Sequence, residues 1–174
     1  LTGNADDSLD WTDGWTGSLQ FVHIAQGSDS ADNGIEADNR EGDENVAPRS
    51  NPTIANMSIV GNSNERAIRL RRGTGADLYN VMVTGSATCI DVDGDTSVGL
   101  LGMDINIESA SFACPEVVDG DNPELQGYLD GAVNVTQDGS TPPAATLPAD
   151  GFFEQSDVVG SDIDSWKGSW VFGL

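Results

Sequence analysis

The feature that most constrains the fold is an apolar pattern that recurs along the first hundred residues. Four segments share it, LQFVHIA, IANMSIV, LYNVMVT and LLGMDIN, and they begin at residues 19, 54, 78 and 100. In each segment apolar side chains occupy the first, fourth and sixth positions, as in Leu19, Val22 and Ile24. A period that falls to the low twenties, with loops of variable length, is typical of a solenoid in which each coil is one rung.

A second strand series follows the first at almost the same period. The segments GIEAD, AIRLR and CIDVD begin at residues 34, 67 and 89, so that Ile35, Ile68 and Ile90 align. Turn-forming Gly, Asn and Asp residues separate these short β-type runs. Two series with a shared period predict an all-β fold, a right-handed parallel β-helix whose inward residues stack from rung to rung. An antiparallel sandwich with accidental spacing is the alternative.

The outward positions of the second series carry charges of both signs. They form two columns, with Glu36, Arg69 and Asp91 in one and Asp38, Arg71 and Asp93 in the next. Because neighbouring parallel strands lie about 4.8 Å apart, we expect each arginine to lie between two carboxylates. One interpretation is therefore an ion-pair network that offsets the repulsion between acids.

The other interpretation of this face is a polysaccharide site. The ligand-binding candidates on it are Glu36, Asp38, Arg69 and Arg71. For a lyase, in which carboxylates hold calcium and an arginine removes a proton, the catalytic candidates are Arg69, Arg71, Asp91 and Asp93. Glycoside hydrolysis by carboxylates alone is also compatible with these residue types. The spacing does not choose among these reactions.

The opening segment GNADDSLDWTDGW crowds four aspartates beside two tryptophans. The aspartates are Asp6, Asp7, Asp10 and Asp13, and the tryptophans are Trp11 and Trp15. The carboxylates predict either a calcium site or turns in which they cap backbone amides without metal. The tryptophans predict either packing at a corner of the coil or a platform for sugar rings. The run DVDGDTS supplies a second calcium candidate, with Asp91, Asp93 and Asp95.

The charge balance excludes one class of partner. The chain has 29 acidic and 7 basic residues and a net charge of -22, whereas nucleic acid binding requires clustered Lys and Arg. The balance fits an extracellular protein in salt water or among divalent cations. Cys89 and Cys114 predict one disulfide, with two buried thiols as the alternative. No apolar run is long enough to span a membrane.

Composition divides the chain into three parts. We expect β-helix rungs over residues 1–114 and irregular, acidic and proline-rich excursions with a linker over residues 115–150. Residues 151–174 are rich in aromatic side chains and end apolar. Because a solenoid must cover its last rung, we expect this segment to form an aromatic C-terminal cap packed on the coil.

Several segments resemble one group of proteins. They are ADDSLDWTDGWTGSLQFVHIAQ, GIEADN, PRSNPTIANMSIVG, IRLRRGTGADLYNVMVTG and the ending SDVVGSDIDSWKGSWVFGL. Together they are similar to the C-terminal half of secreted or surface-anchored bacterial proteins of the right-handed parallel β-helix, or pectin-lyase-like, group. The resemblance implies the β-helix fold and an extracellular or bacterial cell-surface location. It implies no settled activity and no catalytic residue.

From these observations we expect a non-enzymatic structural, adhesive or self-assembling surface module, stabilised by calcium. Strand edges exposed at the N-terminal end of the coil would let copies stack into a homo-oligomer or fibre. The alternative is a carbohydrate-binding or polysaccharide-degrading protein, either a polysaccharide lyase or a glycoside hydrolase.

Overall fold

The computed structural model describes residues 1–27, 31–62 and 65–166 of the chain. The strands are β1 (Leu9–Trp11), β2 (Ser18–Ala25), β3 (Ile35–Asp38), β4 (Thr53–Val60), β5 (Arg66–Arg71), β6 (Ala76–Thr84), β7 (Thr88–Val92), β8 (Ile105–Ala113), β9 (Glu116–Val118) and β10 (Val135–Thr136). The helices are α1 (Asp95–Val98), α2 (Pro123–Gly131) and α3 (Ile163–Trp166).

The strands alternate between two parallel sheets. The first sheet has the order β1-β3-β5-β7-β9, and the second sheet has the order β10-β8-β6-β4-β2. Every strand pair in both sheets is parallel. Each coil therefore adds one strand to each sheet before the chain advances by one rung. The all-β parallel β-helix that the repeat predicts is confirmed.

The register of the sheets is the one that the apolar columns predict over the first three repeats. In the second sheet Leu19 pairs with Ile54, which pairs with Leu78. In the first sheet Ile35, Ile68 and Ile90 pair in the same way, and all three are fully buried. Stacking of like aliphatic side chains removes each column from water, and this burial stabilises the coil.

The fourth repeat lies seven residues later than the sequence pattern predicts. Leu78 pairs with Ile107 rather than with Leu100, and Val83 pairs with Phe112 rather than with Ile105. Met103, predicted to point into the core, is 64% exposed. The segment from Leu100 imitates the apolar spacing by chance, because Gly102 has a φ of 72° and turns the chain before β8 begins.

A column of left-handed residues bends the second sheet at every rung. Its members are Phe21, Asn56, Asn80, Ser109 and Asn134, with φ values between 54° and 58°. In β2, β4, β6 and β8 this residue separates two sets of paired residues, so the register skips one position at the same place in each strand. Asn134 directly precedes the pairs of β10. Asparagine tolerates this conformation better than most residues, which explains its recurrence in the column.

The two ends of the coil differ. At the C-terminal end, Leu125 and Leu129 of α2 are buried in the main hydrophobic core. The region predicted to be irregular, residues 115–150, thus holds β9, a capping helix and β10. At the N-terminal end, Leu9, Leu19 and Val22 pack on the core but remain only partly buried.

The segment after β10 runs along the outside of the second sheet. Phe153 and Leu147 are buried against Ala55 and the half-buried Tyr79. The backbone N–H of Ala145 donates to Asn80 Oδ1 at 2.7 Å. The described part of the predicted cap therefore packs on a sheet face. Residues 167–174, which include the second tryptophan of the ending, lie outside the described residues.

The predicted disulfide is present. Cys89 and Cys114 are bonded, with their Cα atoms 5.5 Å apart, and they link β7 to the chain just after β8. Within the described ranges, no helix is long and apolar enough to cross a membrane.

Candidate functional sites

The predicted charged face lies on the outside of the first sheet, across β3, β5 and β7. Glu36 pairs in register with Arg69, which pairs with Asp91. Asp38 pairs with Arg71. The period-two alternation of each strand sends these side chains outward while their neighbours enter the core. The structure thus brings together the residues that the sequence places in two columns, which we call the charged face.

The two central arginines both contact carboxylates, but only Arg69 has them on both neighbouring strands, because Asp93 contacts Arg69 and not the Arg71 of its predicted column. Arg69 lies 3.6 Å from Glu36, 3.3 Å from Asp91 and 3.2 Å from Asp93. Arg71 Nε donates to Asp38 Oδ1 at 2.7 Å, and its Nη2 donates to Glu36. The arginines are therefore held within the ion-pair network.

Two further arginines of the same rung extend the network. Arg66 contacts Asp91 at 3.2 Å and Asp119 at 2.9 Å. Arg72 contacts Asp38 at 2.5 Å and Glu41 at 3.5 Å. The role of Asp119 was not predicted, because it follows β9 in a region whose repeat is too short to recognise from the sequence.

Partial burial sets the electrostatics of this face. Desolvation by burial raises the pKa of Glu36 and of Asp91 above the usual range, although neighbouring arginines oppose the shift. Burial lowers the pKa of Arg71, but the hydrogen bond and charge of Asp38 outweigh it, so the pKa of Arg71 is raised. A guanidinium in this setting stays protonated.

Asp10 belongs to the charged face, although the sequence suggested it as a metal ligand. It lies in β1 and pairs in register with Glu36. Two carboxylates thus stand on adjacent rungs without an arginine between them. Burial, followed by the charges of Asp7 and Asp38, raises the pKa of Asp10.

The predicted calcium ligands at the opening do not form one group. Asp6 and Asp7 come together with Asp32, and one carboxylate oxygen from each lies within 4.8 Å of the others. Asp13 instead forms an exposed ion pair with Arg40 at 2.7 Å. Asp32 was missed because it lies in a loop far along the chain. Carboxylates also cluster on surfaces without an ion, so calcium binding here stays a prediction.

The second calcium candidate lies where the first sheet meets α1. Asp91, Asp93 and Asp95 line one cavity of about 310 Å³. Asp91 and Asp93 already contact Arg69, so two of the three carboxylates have a cation beside them. Calcium binding by this group also stays a prediction.

The two tryptophans of the opening lie side by side. Their ring centroids are 5.7 Å apart, with planes tilted by 50°. Trp11 is buried, and its Nε1–H donates to Thr74 Oγ1 at 3.0 Å. Trp15 is half-buried and lines a cavity of about 360 Å³. The other residues that line this cavity are Leu9, Asp10, Trp11, Thr12 and Leu19. The predicted packing role fits Trp11, and Trp15 retains an accessible ring.

Comparison with known proteins agrees with this fold. The sequence model of the family described as "Pectate-lyase like beta helix domain" matches residues 1–171. No curated protein and no solved structure matches the chain. The resemblance drawn from the repeat is therefore confirmed at the level of the family.

Proposed function

The chain belongs to the family of pectate-lyase-like β-helix domains, and on this premise we propose that it acts outside the cell as a non-catalytic structural or adhesive module. The observation that carries the proposal is the state of the arginines on the charged face. Arg69 contacts carboxylates of β3 and β7, and Arg71 contacts two carboxylates of β3. Their positive charges are therefore used in ion pairs between strands of the coil.

Lyase chemistry at this face would need a proton acceptor. An arginine can accept a proton only when it is neutral, and the carboxylates beside Arg71 raise its pKa. The side chains of Glu36, Asp38 and Asp91 are also only 15%, 12% and 11% exposed. Little of their surface is open to a polymeric substrate, which favours the structural role.

Two features support a location outside the cell. The Cys89–Cys114 disulfide persists in oxidising compartments and is rare in reducing ones. A net charge of -22 keeps a protein soluble, and salt or divalent cations screen the repulsion between its acids. Both features fit a secreted or surface-exposed domain.

An activity panel tests the non-catalytic proposal. The intact chain is incubated with acidic and neutral polysaccharides, with and without calcium, and new reducing ends and unsaturated products are measured. We expect no turnover by the wild type. Turnover that disappears in a folded Arg71→Ala variant would overturn the proposal and assign a lyase to the charged face.

Light scattering tests whether the module assembles. The partly exposed Leu9, Leu19 and Val22 at the N-terminal end support association through this end, whereas α2 covers the other. Association of two copies through the same surface gives a closed dimer rather than a fibre. We expect a dimer mass that a Leu19→Lys variant reduces to the monomer. A monomeric mass at every salt and calcium concentration would show that the module does not self-associate.

Polysaccharide binding is the second candidate, and the tryptophan cavity supports it. A half-buried aromatic ring beside Asp10 and Thr12 offers both a stacking surface and hydrogen-bonding groups. The test is quenching of tryptophan fluorescence by oligosaccharides. We expect Trp15→Ala to abolish saturable quenching, and Phe152→Ala, which removes a 53% exposed ring, to leave it unchanged. Equal effects of both variants would exclude the cavity.

A further inference from the structure

The last strand of the first sheet has an open edge. β9 ends the strand order and pairs with β7 alone, Glu116 with Thr88 and Val118 with Ile90. The N–H of Glu116 donates to Ala87. Because successive N–H groups point to opposite edges of a strand, the N–H of Val117 points away from β7. In the described part of the chain, no strand pairs with this edge.

A concave surface accompanies this edge. A cavity of about 470 Å³ is lined by all three residues of β9, together with Gly120, Asp121, Asn122, Pro123 and Gln126. The cavity of about 310 Å³ beside it shares Asp121 and Asn122. We call the two cavities together the acidic groove. A strand added to β9 would lie along a surface that is already recessed.

The lining of the acidic groove is strongly anionic. Its carboxylates are Asp91, Asp93, Asp95, Glu116, Asp119, Asp121 and Glu124, and neither lining includes Lys or Arg. Arg66 and Arg69 offset three of them, Asp91, Asp93 and Asp119. Charge complementarity therefore selects a cationic occupant.

We propose that β9 binds an extended basic peptide as an additional strand, with Lys or Arg at alternate positions facing the acidic groove. The backbone edge supplies hydrogen bonds, as in other cases of strand addition. The alternate Lys or Arg side chains supply positive charge beside the carboxylates of the acidic groove that no arginine offsets. The backbone edge of β9 and the negative charge of the acidic groove together indicate an extended basic peptide as the partner.

A second copy of the chain fits the same edge poorly. Each copy would bring its own acidic groove to a contact at this edge, so the two anionic surfaces would repel each other. The helix α2 also covers the core beside β9 with Leu125 and Leu129, so the described residues offer no apolar end here for another coil to stack on. The inference deepens the adhesive role of the proposed function by naming a partner, and it rests on that role.

A synthetic peptide tests the proposal on the intact, disulfide-bonded chain. The probe is acetyl-KVKVKV-amide with a fluorophore, and binding is followed by anisotropy at several salt concentrations. Two N-methylated versions carry the methyl groups either on all valines or on all lysines. Because β9 would pair with only one edge of the peptide, we expect one version to lose binding and the other to retain it. Equal binding of both would reveal a purely electrostatic contact and overturn the proposal.

A variant of the protein provides the second arm. Val117→Pro removes an N–H that points away from β7, a position where an edge strand tolerates proline. We expect the dissociation constant to rise by about two- to tenfold, the effect of losing one hydrogen bond. Val117→Ile keeps the N–H and serves as the matched control. Unchanged affinity in a folded Val117→Pro variant would overturn strand addition. The polysaccharide and light-scattering results would stand either way.

Discussion

Asp10 and Glu36 stand opposite each other on adjacent parallel strands, as two carboxylates in one column of the charged face. Further along the same column Arg69 lies between Glu36 and Asp91. Its positive charge offsets the carboxylates there, whereas no arginine lies between Asp10 and Glu36 at the N-terminal end of the column. Burial raises the pKa of both Asp10 and Glu36. Repulsion between like charges therefore acts at the N-terminal end of this column.

Removing the charge of Asp10 is expected to stabilise the fold. A carboxyl whose pKa is raised in the folded state binds more protons there than in the unfolded state. Its contribution to stability therefore falls as the pH rises from its ordinary value of 3.8 through the raised folded value. We expect Asp10→Asn to increase the free energy of unfolding at pH 7 by roughly 0–1 kcal/mol, the range for exposed charge pairs. Urea unfolding measures it.

A control variant separates the effect of the local environment of Asp10 from the effect of a lower net charge on stability. Asp157→Asn makes the same change of charge at an exposed residue outside the charged face. The gain in Asp10→Asn should shrink as the pH falls towards 4, because wild-type Asp10 then takes up a proton. Equal gains in both variants, or a gain independent of pH, would contradict the prediction.

Arg71 is expected to be the arginine whose loss destabilises the coil most clearly. Its side chain is 19% exposed and neutralises Glu36 and Asp38, which are themselves largely buried. Arg71→Gln leaves both carboxylates without this partner. We expect the free energy of unfolding to fall by about 1–3 kcal/mol, less than for a fully buried pair. Thermal and urea unfolding measure the loss.

Arg40 offers a matched comparison for Arg71. It forms one ion pair with Asp13, and the two side chains are 47% and 58% exposed. Arg40→Gln should therefore change stability by no more than about 0.5 kcal/mol. Adding Glu36→Gln to Arg71→Gln should recover part of the loss. Similar losses from the two arginine variants would show that burial does not decide the strength of these pairs.

The columns of the solenoid were predictable because equivalent positions in successive rungs require side chains of the same kind. Inward positions such as Ile35 and Ile68 need aliphatic side chains, and the alternation of a strand then assigns the outward positions to Glu36 and Arg69. The register of β3, β5 and β7 could therefore be derived from spacing, whereas the contacts of Arg69 with Asp93 and of Arg66 with Asp119 could not.

Other parts of the molecule lack a spacing signal. The grouping of Asp32 with Asp6 and Asp7 depends on a loop whose course no period dictates. The capping role of Leu125 depends on a helix inserted between β9 and β10, where the composition suggested a linker. The fourth repeat was misplaced because Met103 satisfies an apolar pattern while a glycine turn keeps it outside the core.

Loss of the disulfide is expected to lower stability substantially. Cys89 and Cys114 are separated by 25 residues, and closing a loop of that length restricts the unfolded chain by about 3–3.5 kcal/mol in the chain-entropy account. We expect reduction of the wild type to shift the urea midpoint downward accordingly. A Cys89→Ala, Cys114→Ala double variant should match the reduced protein and should not respond to reductant. An unchanged midpoint on full reduction would contradict the prediction.

Asn80 tests the column of left-handed residues. It has a φ of 55° and its Oδ1 accepts from the N–H of Ala145 at 2.7 Å. Asn80→Gly loses the hydrogen bond but adopts the conformation freely, whereas Asn80→Ala loses the bond and also meets a steric penalty of about 1–2 kcal/mol. Alanine should therefore be the more destabilising substitution here, as measured by urea unfolding.

Asn106 is the matched control position, where we expect the glycine variant to be less stable than the alanine variant. Its side chain also forms a hydrogen bond, here as the donor to Asp77 Oδ1 at 2.8 Å. Asn106 lies within β8 and outside the left-handed column. At Asn106 glycine should be worse than alanine by roughly 0.5–1 kcal/mol, because glycine weakens an extended strand. If alanine is the more destabilising substitution at Asn80 and glycine at Asn106, the difference is due to backbone conformation and not to loss of the side chain. The same order at both would show that Asn80 acts through its hydrogen bond alone.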